Sequence, residues 1–201
     1  MKKSNVLVYG IGIKGMKYPA VINDNILDEY RAWRSFLFRC TETCWSRQEA
    51  YKGTSCSENF KYYEFFYEWY HKQVGHLERD ETGRKYHLDK DILVKGNKVY
   101  SEDTCVFLPQ KINSLLVSCK ANRGDLPIGV CWHKANEKYT AQGWDGKHRK
   151  TIGYYSSVED AFLAYKTFKE AYIKQVAEQY KSQIDERAYQ ALLNYTVEIT
   201  D

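Results

Sequence analysis

Lys150-Thr151-Ile152-Gly153-Tyr154-Tyr155-Ser156-Ser157-Val158-Glu159-Asp160-Ala161-Phe162-Leu163-Ala164-Tyr165 changes its period in the middle, and that change decides the fold. Before Ser156 the residues are β-branched and aromatic, which suits a strand. After it, Ala161, Tyr165, Phe168, Tyr172, Val176 and Tyr180 recur three or four residues apart, one apolar stripe of a long helix. Ser156-Ser157-Val158-Glu159 reads as its capping box. Upstream, residues 128–132 and 139–144 are two further strands, joined by the polar turn 134–138 and followed by the Asp145-Gly146 turn. A helix with one apolar stripe needs a sheet to cover it. Residues 119–201 are therefore read as a three-stranded antiparallel sheet packed on a long helix.

The polar stretch 118–127, with Lys120, Arg123 and Gly124, is the natural linker and places the first domain at 1–118. Within that part, Leu27, Tyr30, Trp33, Leu37 and Cys40 mark one helix, with Asp24 or Asn25 as its N-cap. Residues 57–73 predict a second, with Phe60, Tyr63, Tyr67 and Tyr70 on one face and Tyr62, Phe66 and Trp69 on the next. Residues 78–85 read as a loop. The pattern then turns to short strands at 86–94, 99–100 and 106–108, with Gly96-Asn97 as a turn, and ends in an amphipathic segment carrying Ile112, Leu115 and Leu116. A last helical stretch starts near Glu186. Gly10-Ile11-Gly12-Ile13-Lys14-Gly15 lacks the third glycine of a nucleotide loop in register and is not read as one. The fold class expected is α+β.

At 201 residues the chain makes one domain or two small ones, which excludes a solenoid. With 43% hydrophobic and 28% charged residues it is not composed like a disordered chain. A net charge of +4 permits nucleic-acid binding but excludes a uniform polyanion clamp. The 18 Tyr, 8 Phe and 5 Trp offer stacking faces that also carry polar atoms. The basic start, Met1 to Asn5, is followed only by residues 6–9 before Gly10, too short for a signal peptide, and no window is apolar enough to span a membrane. A cytoplasmic location with no membrane partner is the expectation, so the six cysteines should be thiols or metal ligands. A structural zinc on Cys40, Cys44, Cys56 and Cys105 is one reading. Buried free thiols are the reading their irregular spacing favours.

Gly129-Val130, Tyr139-Thr140-Ala141, Ile152-Gly153-Tyr154-Tyr155 and residues 157–165 together resemble the DNA-binding domain of plant ethylene-response factors, which also accompanies phage homing endonucleases. The resemblance implies a sheet lying in the DNA major groove with the helix behind it. By the period of two, Thr140, Gln142 and Trp144 take the exposed face, and the resemblance adds Cys131, His133, Arg149 and Thr151. Lys134, Lys138, Lys147 and Lys150 are the expected phosphate contacts, the other reading being a solvated rim. Cys131, His133 and Trp144 stand where the plant domains carry arginines, which removes bidentate guanine readers.

Leu88-Asp89-Lys90-Asp91-Ile92-Leu93, Gly96-Asn97-Lys98 and residues 104–113 resemble the HNH nuclease core of phage intron-encoded enzymes. The resemblance implies a ββα core with one Mg²⁺ or Mn²⁺, Asp89 and Asn113 as its ligands, Asn97 as the central Asn and Lys90 in the base slot. Thr104 and Lys90 depart from the family residues. A protonated lysine takes no proton from water, and Asp91 or His87, which alternate with Asp89, are its substitutes. The whole layout is similar to phage proteins labelled as HNH endonucleases. The function expected is binding of double-stranded DNA in the cytoplasm of an infected host, the HNH-like core being read either as a metal-dependent nicking site or as a degenerate core that only binds. The alternative is a non-enzymatic inhibitor that binds a host protein through the aromatic N-terminal helices.

Overall fold

The structure, a computed structural model, describes residues 7–116 and 124–201. The readings of Val6, Cys119, Lys120 and Arg123 lie outside these. The chain is mixed α and β and divides into two compact units, Met1–Gln110 with Gln183–Ala188, and Lys111–Ser182 with Tyr189–Asp201.

In the first unit, strands β1 (Val21–Ile22) and β2 (Asn25–Ile26) form a small hairpin before helix α1 (Asp28–Arg39). Asp24 is a turn residue with φ 61° rather than a helix cap, and the N-cap, Leu27, makes no side-chain cap bond. The short helix α2 (Glu42–Trp45) and strand β3 (Ser55–Cys56) follow. The single helix expected over 57–73 is a 3₁₀ turn at Asn59–Lys61 and then α3 (Tyr63–Tyr70). The break has a cause at Ile13. Its N–H donates to the Lys61 carbonyl at 2.8 Å and its carbonyl accepts from the Tyr63 N–H at 2.9 Å, taking groups that a continuous helix would pair internally.

The aromatic side chains of this part make its core. Trp33 and Phe36 of α1 and Phe60, Tyr63 and Phe66 in and before α3 are all at most 1% exposed. Phe60 meets Trp69 edge-on at 4.9 Å and Phe36 lies 5.3 Å from Phe66, the tilted and edge geometries that aromatic quadrupoles prefer. The buried Trp33 indole donates to the Phe60 carbonyl at 2.8 Å. Strand β4 (His87–Asp89) pairs antiparallel with β6 (Val106–Leu108), and β5 (Val99–Tyr100) pairs parallel with β3. The Gly96-Asn97 turn therefore does not close a hairpin between neighbouring strands. Gln183–Ala188 returns to this unit, with Gln183 Oε1 accepting from the Tyr86 hydroxyl at 3.0 Å and Arg187 donating to the Asp103 carbonyl at 3.2 Å.

The division between units falls within helix α4 (Gln110–Leu116). The second unit is built on the antiparallel sheet β7 (Val130–His133), β8 (Lys138–Trp144), β9 (Arg149–Tyr155), packed on α5 (Val158–Tyr180); the division between units also falls within α6 (Glu186–Leu193), after Ala188. Its core gathers Val130, Ala141, Ala161, Phe162, Tyr165 and Val197. The cap of α5 is Ser157 rather than Ser156: its hydroxyl accepts from the Asp160 N–H at 3.1 Å and donates to the Asp160 carboxylate at 2.7 Å. Aromatic residues of α5 reach the sheet where it offers glycine. A Cβ on Gly143 would lie 2.4 Å from the Phe168 ring, and one on Gly129, whose φ is +77°, 2.1 Å from the Tyr165 ring. Among the described residues no helix is long and apolar enough to cross a membrane.

Candidate nucleic-acid interface

The sheet's register sorts its two faces. Val130 pairs with Ala141, which pairs with Gly153, and this row faces the core on α5. The opposite face carries the pairs Cys131 with Thr140, Thr140 with Tyr154, Gln142 with Thr151, and Trp144 with Arg149. His133, on the same parity as Cys131, sets its ring edge-on to Tyr154 at 5.2 Å. Its Nδ1 accepts from the Asn136 N–H at 3.3 Å, which leaves Nε2–H as the ring's donor. Trp144 is 53% exposed and Tyr154 44%, and Arg149, Thr151 and Cys131 are exposed beside them. Thr140 corrects the expectation, for it is 0% exposed and its hydroxyl has no partner.

Lys134, Lys138, Lys147 and Lys150 are all exposed. Lys150 pairs with Gly143, in the row that faces α5, so it reaches the outer face only around the sheet edge. Asp145, the carboxylate at the β8–β9 turn, is held by the turn's own backbone. Its Oδ1 accepts from the Lys147 and His148 N–H groups at 2.9 Å each, and those backbone bonds, His148's first, hold its carboxyl below the usual range. Tyr154 is the face residue that sequence reasoning missed. A bulge between Ala141 and Gln142 opposes them to Gly153 and Thr151 and leaves Ile152 over, so strict alternation from Thr151 sends Tyr154 to the wrong face. The Ile152-Gly153 pair, a branched residue against a glycine, is the only local mark of it.

The residues singled out in the middle segment are held by one another. Asp89 ends β4, and its Oδ1 accepts from the Asp91 and Ile92 N–H groups at 2.9 and 2.8 Å. Burial, then the Asp91 charge, pushes its carboxyl upward against the pull of those amides. Lys90 is 5% exposed, with its ammonium 3.0 Å from the Asp91 carboxylate and over the Tyr100 ring. Asn97 donates to the Lys90 and Val99 carbonyls and accepts from the Val99 N–H, so its amide ties the loop shut. The Thr104 hydroxyl is shared with Ser101 and donates to the Val99 carbonyl. His87 is exposed. Asn113, on α4, falls in the other compact unit and its buried Oδ1 lacks a partner. With these donors engaged, the residues around Asp89 do not by themselves complete a cation site.

The cysteines are free thiols among the described residues. Cys44 and Cys105 are buried, but Cys40 and Cys56 are half-buried and Cys131 is exposed, which corrects the uniform burial expected. Burial pushes the Cys105 thiol up to about 12. No group of three or more His, Cys, Asp or Glu able to hold a metal occurs among the described residues. Comparison of the chain with protein-family models, with curated proteins and with solved structures returns no match to any of them.

Proposed function

We propose that this protein binds double-stranded DNA through the outer face of β7–β9. One observation carries the reading. While α5 fills one face of the sheet, the other leaves Trp144 and Tyr154 about half exposed, in register with His133, Gln142, Arg149 and Thr151 and rimmed by lysines. Side chains that project from a strand pair can reach base edges in a major groove, and cations at the rim position the backbone. Divalent-dependent nicking in the HNH manner, centred on Asp89, is the enzymatic arm of the same proposal, supported by the chain order of β4, β6 and α4.

The test is anisotropy of a labelled duplex across a salt series. Replacing Lys147, Arg149 and Lys150 with alanine should weaken binding and flatten the slope of log affinity on log salt by about 0.9 for each phosphate left without its cation, roughly 2 to 3 in all. Trp144→Ala should weaken binding at an unchanged slope. Nicking of supercoiled plasmid in Mg²⁺ or Mn²⁺ should vanish in Asp89→Ala while duplex affinity persists. Wild-type protein without duplex affinity refutes the binding reading, and an unchanged slope in the triple variant removes the β8–β9 hairpin from the interface.

A further inference from the structure

The first unit contains a cleft of about 580 Å³, within the roughly 300–1,000 Å³ of small-molecule sites. One wall is α1, whose Asp28, Arg31, Ala32, Ser35 and Arg39 line it at spacings of three and four. The other is the turn between Arg79 and Lys85, which bridge antiparallel. This turn is built rigidly. Asp80 Oδ1 accepts from the Thr82 N–H, the Thr82 hydroxyl and the Arg84 N–H, and Arg79 donates to the Gly83 carbonyl at 2.7 Å.

The charges of the lining do not balance. Its one carboxylate, Asp28, is ion-paired with Lys85. Arg31, Arg39, Arg79 and Arg84 remain: Arg31 spends one donor on the Ile26 carbonyl at 3.4 Å, Arg39 one on the Tyr100 hydroxyl at 2.9 Å and Arg79 one on the Gly83 carbonyl, while the Asp80 carboxylate of the turn lies within electrostatic reach of Arg84. Guanidinium forks on the two walls can pair bidentately with the oxygens of phosphate groups. A ligand with one negative charge leaves most of them unpaired, so the match is a polyanion. The concave shape and small volume favour a molecule that enters the cleft over a duplex lying across its rim.

We propose that this cleft binds a small-molecule polyphosphate, with its phosphates between α1 and the Arg79–Lys85 turn and ATP as the probe. The site is separate from the sheet of the second unit and stands or falls independently of DNA binding there. A 5′-phosphorylated strand end carries related chemistry, and the experiment distinguishes the two.

Calorimetric titration of the full chain with ATP should show saturable binding. Replacing Arg31 and Arg84 together with alanine should weaken it about tenfold or more, since each hydrogen-bonded charge pair is worth that order. Both residues are exposed. Arg84→Glu serves as a second variant, because the turn uses the Arg84 backbone, and it should abolish ATP binding with the far-UV dichroism unchanged. The Lys147, Arg149, Lys150 triple variant should bind ATP as wild type does. Absence of ATP saturation up to about 1 mM, or ATP affinity indifferent to both arginine changes, overturns the proposal. So does a 5′-phosphorylated oligonucleotide that binds more tightly than ATP and more tightly than its 5′-hydroxyl form, which would assign the cleft to strand ends.

Discussion

Gly143→Ala tests whether the aromatic side of α5 is fitted to the sheet's glycines. The added methyl would lie 2.4 and 2.5 Å from two carbons of the Phe168 ring. Carbon atoms pack at about 3.5–4.0 Å, so the ring or the helix must give way by about 1 Å or more. Overpacking of this kind costs about 1–3 kcal/mol, and the smaller backbone entropy of unfolded alanine returns about 0.4–1. The net expectation is a loss of about 1–2 kcal/mol in urea unfolding followed by far-UV dichroism. Phe168→Leu alone should cost about 1 kcal/mol, because the ring is only half-buried. Combined, the two changes should relieve one another, leaving the double variant at least about 1 kcal/mol more stable than the sum of the single losses. Costs that add to within about 0.5 kcal/mol would mean that Phe168 and Gly143 are not in conflict, and the packing argument fails.

In the first unit, Trp33→Phe keeps an aromatic ring but removes the donor to the Phe60 carbonyl, and should cost about 1–3 kcal/mol by the same melt; a neutral result would show that carbonyl to be satisfied elsewhere. Asp89→Asn tests a pH dependence. Burial raises the folded carboxyl above its ordinary value, so the native state binds the proton more tightly than the unfolded chain and stability falls as pH rises from the ordinary carboxylate value through the raised one. Asparagine keeps an acceptor for the Asp91 and Ile92 amides without the charge. The variant should therefore match wild type in acid and gain on it as pH rises above the ordinary carboxylate range, and a difference that does not change with pH excludes the buried charge as its source.

The second unit is legible in the sequence because its elements are long enough for their period to show. In β8 the inward Tyr139 and Ala141 alternate with the outward Thr140 and Gln142, and α5 carries its stripe over 23 residues. What escapes is local: a cap displaced by one residue, and the bulge that turns Tyr154 outward. The first unit hides more, since its ordering rests on pairings distant in sequence. Ile13 interrupts a helix nearly fifty residues later, and β5 pairs with β3 rather than with either neighbouring strand. The candidate residues of the middle segment are visible as residue types, but their engagement is not. Asn97 and Asp89 look the same in the sequence whether their side chains meet a ligand or, as here, their own backbone. The arginines of α1 and of the Arg79–Lys85 turn read as a solvated helix face and a polar loop until the fold sets them opposite each other.

The return of Gln183–Ala188 to the first unit has a consequence during synthesis. The unit that begins first on the ribosome cannot be completed until most of the second has been made, because the Gln183 side chain that receives the Tyr86 hydroxyl and the guanidinium that reaches Asp103 belong to residues that emerge late. At about 5–20 residues per second, the nascent N-terminal part waits on the order of ten seconds with its closing segment missing. The sheet and α5 of the second unit, made of neighbouring pieces, need no such wait. Most of the second unit is thus an insertion within the first, and a stop codon placed after Ser182 would keep the strands and α5 while removing both the last segment of the earlier-made unit and Val197 from the core of the second.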